Sequence, residues 1–152
     1  MQAGDAAPDF ELPDQDGRPV RLADLLERGP VVLFWFPAAM TPGCTKESCH
    51  FRDLAGEFAG AGAQRVGISM DAVARQKSFA DRHGFDYPLL SDADGAVSER
   101  YGVRRTGPLA RLGPTQRRTF VIGADGRILD VVAGELRFTE HADRALAALA
   151  RA

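Results

Sequence analysis

Gly29-Pro30-Val31-Val32-Leu33-Phe34-Trp35-Phe36-Pro37-Ala38-Ala39-Met40-Thr41-Pro42-Gly43-Cys44 is the stretch that decides the fold. Gly29-Pro30 breaks whatever precedes it. The six apolar residues Val31–Phe36 follow without the polar alternation of a half-exposed strand. Such a run reads as a strand covered on both faces, as in a parallel sheet flanked by helices. Pro37 stops it, and Thr41-Pro42-Gly43 ends a loop and opens a helix, since proline is tolerated in the first helical turn. Cys44 therefore falls at or just after a helix start, beyond the end of a central strand. Open α/β sheets place their active sites there.

Outward from this stretch, strands and helices alternate. Residues 8–22 read as an extended stretch with a turn at Asp16-Gly17, and Leu22–Glu27 as a short helix. Past the Val31–Phe36 strand, one helix is expected over Cys44–Ala59, then a strand over Gln64–Met70. A helix over Ala72–His83 is stopped by Gly84. Tyr87–Leu90 reads as a short strand and Ala96–Tyr101 as a short helix. Arg117–Ile122 and Ile128–Val132 are strands, and Gly123-Ala124-Asp125-Gly126 between them is a hairpin signal. Thr139 opens a last helix rich in Ala and Leu. No repeat or low-complexity linker interrupts the order, and one domain over residues 1–152 is expected.

Composition narrows the function classes. The chain has 152 residues, 45% of them hydrophobic, enough for one core and too few for two comfortable domains. A net charge of −2 gives no reason to expect nucleic-acid binding. No stretch reaches the roughly 20 apolar residues of a membrane span. The first residues, Met-Gln-Ala-Gly-Asp-Ala-Ala-Pro, lack a basic-then-apolar leader, and two cysteines form no disulfide framework. A cytoplasmic protein is the expectation.

The two cysteines carry whatever sulfur chemistry the chain performs. An ordinary cysteine is only a few per cent thiolate at neutral pH. The unpaired amides and positive dipole end of a helix N-terminus favour the anion at a position such as that of Cys44. Cys49 lies five residues on. In an unbroken helix that spacing means about 7.5 Å of rise and roughly 140° of rotation, hence a Cα separation of about 8.7 Å. A disulfide needs less than about 7 Å. Either the cysteines never pair, or the first turns unwind for them to do so.

Pro37, Thr41 and Cys44 match the Pro-x-x-x-Thr-x-x-Cys signature of the peroxiredoxins, which the chain resembles. The longer run Thr41-Pro42-Gly43-Cys44-Thr45-Lys46-Glu47-Ser48-Cys49-His50-Phe51-Arg52-Asp53 is similar to the bacterioferritin comigratory protein (peroxiredoxin Q) subgroup, and the similarity spans essentially the whole chain. It implies an α/β, thioredoxin-like fold, with a central mixed sheet flanked by helices and an N-terminal extension; the element order matches. It implies a thiol-dependent peroxidase of the atypical two-cysteine type, acting on hydrogen peroxide and organic hydroperoxides. Cys44 would become a sulfenic acid, Cys49 would resolve it as an intramolecular disulfide, and thioredoxin or a similar dithiol reductant would recycle both. A monomer with no cofactor and no metal is expected.

The resemblance also assigns Thr41 to hold the peroxide through its hydroxyl, with the Cys44 amide as a further donor, and Pro37 to shield the thiolate. Read as residues alone, Thr41 is equally a helix cap and Pro37 a strand terminator. A cation must face the sulfur. In a strand, Arg117 and Arg118 point to opposite faces, so only one can do so. The family pattern Arg-x-Ser/Thr-aromatic falls on Arg117, with Arg118 the competitor. His50, His83 and His141 are scattered and form no metal-ligand pattern. Ala38, Ala39 and Met40 are apolar where many relatives are polar, and the loop Arg104–Gln116 is long. Two other classes fit a reactive cysteine pair. A protein disulfide oxidoreductase ordinarily carries Cys-x-x-Cys, not this wider spacing; the other is a redox-sensing interaction module.

Overall fold

The computed structural model describes residues 1–152. An antiparallel hairpin comes first: β1 (Glu11–Pro13) pairs with β2 (Pro19–Arg21) around the Asp14–Arg18 turn. α1 (Leu22–Leu26) leads to β3 (Val31–Trp35), which is followed by α2 (Pro42–Asp53), α3 (Ala55–Gly60) and β4 (Gln64–Ser69). Then come α4 (Val73–His83), β5 (Leu89–Ser91) and α5 (Ala96–Arg100). A 3-10 helix at Gly107–Leu112 precedes β6 (Arg118–Ile122), β7 (Ile128–Ala133) and α6 (Glu140–Arg151). The main sheet runs β5-β4-β3-β6-β7. Its first three strands are parallel, and β6 and β7 run antiparallel to β3, giving the expected mixed sheet.

β3 is buried at every residue, and its side chains divide by parity. Val32, Phe34 and Phe36 face Phe51 of α2, Phe79 of α4 and the alanines 142, 145 and 148 of α6. Val31, Leu33 and Trp35 face Leu22, Leu25, Val97, Tyr101 and Phe120 on the other side. Phe34 stacks on Phe51 with ring centroids 4.0 Å apart, fixing α2 against the strand that feeds it.

One expected element divides. The helix expected over Cys44–Ala59 is two: α2 ends at Asp53, and Leu54, at φ −93° and ψ 21°, starts α3. A donor from a different element accounts for the break. Arg65 of β4 gives an Nη1–H bond of 2.9 Å to the Phe51 carbonyl, taking the acceptor that the next turn would use. Arg65 is itself held by both carboxylate oxygens of Asp86, at 2.9 and 2.8 Å. Gly84 ends α4 in the left-handed region, φ 63°, as expected of a glycine stop. The strand expected from Tyr87 begins at Leu89, and the one expected from Arg117 begins at Arg118.

Candidate active site

The strand β3 delivers the chain to Phe36, and residues 37–41 turn it into α2. This turn is clamped from α4's approach: the Ala39 amide donates to the Asp71 carboxylate at 2.8 Å, and Arg75 donates to the Ala39 carbonyl at 3.0 Å. Directly after this doubly held residue Met40 takes φ 65°, the only non-glycine residue in the left-handed region. Such strain, of order 1–3 kcal/mol, persists only where the surroundings over-determine it. The turn lets the Thr41 hydroxyl donate to the Ala38 carbonyl at 2.8 Å and makes Thr41 the N-cap residue of α2, without a side-chain capping bond. The hydroxyl lone pairs stay free to accept.

The first intrahelical bond at this end runs from the Thr45 amide to the Thr41 carbonyl, 2.9 Å. The Gly43 and Cys44 amides precede it and lie at the positive end of the helix. Cys44 is 1% exposed, and Arg117 directs an Nη2–H at its sulfur, 3.3 Å away. The same guanidinium donates through Nη1 to Glu47 at 2.8 Å and through Nε to the Glu135 carbonyl at 2.8 Å. Arg117 is thus fixed on three sides, while Arg118 turns away and bonds Gln116. Arg117 immediately precedes β6 and Arg118 begins it, and the two side chains go to different partners. Pro37 packs against the long loop before β6, close enough to Gly113 that a β-carbon there would lie 2.8 Å from Pro37 Cβ.

Arg117 reaches Cys44, and Thr41 lies three residues before that cysteine as the N-cap of α2; Cys49 shares α2 but lies farther along it, half-buried, and both thiols are free. Burial pushes the Cys49 thiol pKa up, with Arg52 opposing and Asp53 adding to the rise. His50 does not face Cys49; it bonds Asp143 of α6 at 2.8 Å.

Two buried groups behind Arg117 escaped the sequence reading. Glu47, one turn after Cys44, is fully buried, and burial raises its carboxyl to about 8 against the pull of Arg117. Its Oε2 has no hydrogen-bond partner. Burial and the 2.8 Å contact with Arg117 thus act on this carboxyl in opposite directions, and burial prevails. His141 donates from Nε2 to the Gly134 carbonyl at 2.9 Å, and its Nδ1 meets the Thr119 hydroxyl at 2.8 Å. Burial lowers its pKa, so it is neutral and accepts from Thr119. The i, i+3 spacing of Cys44 and Glu47 was the available sequence signal for the carboxyl; nothing local pointed to His141.

Residues 3–131 match the AhpC/TSA family. The chain is a peroxiredoxin. A putative peroxiredoxin of Mycobacterium tuberculosis is 60% identical over 98% of this chain and 96% of its own length. The peroxiredoxin Bcp of Escherichia coli is 40% identical over 94% of this chain and 92% of its own. Among solved structures, the peroxidoxin BcpB of M. tuberculosis superposes with a TM-score of 0.94 at 59% identity, covering 99% of this chain and 97% of that one. Peroxiredoxin Q of Xanthomonas campestris gives 0.84 at 30% identity, covering 93% and 90%. As a peroxiredoxin of the Bcp and Q type, the protein is a thiol-dependent peroxidase with the thioredoxin-like fold. No helix of the peroxiredoxin is long and apolar enough to cross a membrane.

Proposed function

We propose that Cys44 is the thiol that cleaves the peroxide, and that Cys49 resolves it. The observation that carries this reading is the buried Cys44 sulfur 3.3 Å from the Arg117 guanidinium at the start of α2. The thiolate attacks one peroxide oxygen, the O–O bond breaks, and the departing oxygen takes a proton to leave as water or an alcohol; Cys44 becomes a sulfenic acid. Charge developing on the departing oxygen meets Arg117 and the first amides of α2. Thr41 accepts the peroxide's proton into a hydrogen bond while its own hydroxyl hydrogen stays on Ala38. Pro37 keeps water from the sulfur.

The sulfenic acid then condenses with the Cys49 thiol: an S–S bond forms, the S–O bond breaks and water leaves. Cys49, protonated by burial, waits as a thiol and does not compete for peroxide. The two Cα positions of an intact helix stand about 8.7 Å apart, so the start of α2 unwinds in this step. A thioredoxin-type dithiol returns both residues to thiols by exchange. Residues 1–152 act as one domain, a monomer of the cytoplasm that reduces hydrogen peroxide and small organic hydroperoxides without cofactor or metal.

Peroxide loss measured with a thioredoxin system tests this. Cys44→Ser protein is expected to be inert, and Cys49→Ser to form the sulfenic acid without turning over through an internal disulfide. Full turnover by Cys44→Ser protein would refute the assignment. Rapid insulin reduction with negligible peroxide loss would favour a protein disulfide oxidoreductase.

A further inference from the structure

The loop between β7 and α6 touches the Arg117 guanidinium twice. Its Glu135 carbonyl accepts from Arg117 Nε, and its Phe138 ring covers one face of the same guanidinium, 4.8 Å from Cζ to ring centroid. The loop is held for this. The Glu135 carboxylate accepts from the Arg117 amide at 3.1 Å and from Arg105 at 2.6 Å, and the Gly134 carbonyl is bonded by His141. Phe138 also lies directly on the first turn of α2. A β-carbon on Gly43 would stand 2.5 Å from Phe138 Cε1 and 2.7 Å from Cζ. The backbone of Gly43 is in ordinary helical conformation, so what the missing side chain permits here is the approach of the ring. Phe138 therefore bridges the cation beside the sulfur and the residue preceding that sulfur in sequence.

We propose that Phe138 is a positioning residue of the peroxidase: it seats Arg117 against Cys44 and braces the first turn of α2 in its folded form. Resting on the assignment of Cys44 and Cys49 above, this gives the ring opposite effects on the two successive steps. In the first, a guanidinium pressed between a π face and three in-plane acceptors stays aimed at the sulfur, and the peroxide meets a preorganised site. In the second, Cys44 must leave its place to reach Cys49, and Gly43 moves with it. The ring then loses its seat, so Phe138 biases the protein against the unwound form. A sulfenic acid held longer in the folded form meets a second peroxide more often. That peroxide gives up one oxygen, breaking its O–O bond, and Cys44 becomes a sulfinic acid as water or an alcohol leaves.

The test is stopped-flow oxidation by hydrogen peroxide of wild-type, Phe138→Ala, Phe138→Leu, Gly43→Ala and Gly43→Ala/Phe138→Ala proteins, with mass analysis of Cys44 under excess peroxide. Phe138→Ala is expected to slow the first step about fivefold, the size of a partly buried cation–π contact. It should also lower the sulfinic fraction about fivefold through faster disulfide closure. Phe138→Leu, which keeps bulk over Gly43 but offers no π face, should restore the sulfinic fraction and leave the first step slow. Gly43→Ala displaces the ring, so the double variant should be no slower than the slower single one. Unchanged first-step rate and sulfinic fraction in Phe138→Ala, or multiplicative slowing in the double variant, would overturn the proposal. Cys44→Ser protein is run alongside: peroxide consumption there would overturn the cysteine assignment itself, and this inference with it.

Discussion

Arg117 is a single cation set among three acceptors of different character: a sulfur, a buried carboxyl and a carbonyl. Of these, Glu47 has its own ionisation shifted by the fold, burial raising its pKa against the pull of Arg117. That shift has a consequence for stability. In the unfolded chain Glu47 loses its proton near 4.5, whereas in the folded protein it holds it to about 8. Between these values the unfolded state releases a proton that the folded state keeps, so this group's contribution is fully present at low pH and is lost as pH rises. Glu47→Gln protein should therefore show a flatter dependence of Tm on pH from about 5 to 9 than wild type. Parallel curves from thermal melts would show that Glu47 ionises freely. That only one of Arg117 and Arg118 can face the sulfur could be read from strand alternation, and the family pattern alone pointed to Arg117. For Glu47 the i, i+3 spacing from Cys44 is visible in the sequence, but a charged residue on a helix ordinarily faces water and only the fold reveals that this one does not.

At the scale of one helix, α2 is fastened unequally. Its later half is held by donors from elsewhere: Tyr87 Oη to the Ser48 carbonyl at 2.6 Å, Arg65 to the Phe51 carbonyl, and Arg52 itself to the His83 carbonyl at 2.8 Å. The Tyr87 bond fixes the peptide unit whose nitrogen belongs to Cys49. Its earlier half is held through Cys44, Glu47 and Gly43 by Arg117 and Phe138. On the proposed pairing of Cys44 with Cys49, the Cys44 sulfur leaves that set while the later tethers remain. Amide exchange of the oxidised protein should thus show protection lost over residues 43–47 and kept over 50–53. Tyr87→Phe should cost about 1 kcal/mol of stability and extend the loss past Cys49. Uniform loss along α2 in wild-type protein would contradict this polarity. These tethers also account for the break at Leu54. Helical periodicity over residues 44–59 predicts one element, and the interrupting guanidinium comes from β4, where no local pattern announces its target.

Across the whole molecule, β3 is the axis: one side chain in two faces each core, which is why an unbroken apolar run could be read as a strand covered on both sides. The face carrying Trp35 holds a buried polar network. Trp35 Nε1 donates to Ser98 at 2.9 Å, and Ser98 donates to buried Asp92 at 2.6 Å. Ser98→Ala would leave the indole N–H and one carboxylate oxygen short of a partner and should cost about 1–3 kcal/mol in urea unfolding. A midpoint unchanged from wild type would show that the network relaxes without loss. Order, parity and turns were legible at this scale because they are local consequences of hydrophobic period and glycine or proline placement. The convergence of His141, Thr119 and Phe138 on α2 was not, since it depends on how β6 and the β7–α6 loop dock.

The pairing of Cys44 with Arg117 underlies every scale. It is tested most directly by the stopped-flow rate of Cys44 oxidation by hydrogen peroxide in Cys49→Ser protein, with Arg117 intact and with Arg117→Gln. Loss of a charge-assisted contact to a reacting anion, roughly 2–3 kcal/mol, is expected to slow the reaction about 100-fold. Rates that agree within about twofold would show that the guanidinium beside the sulfur has no part in the chemistry.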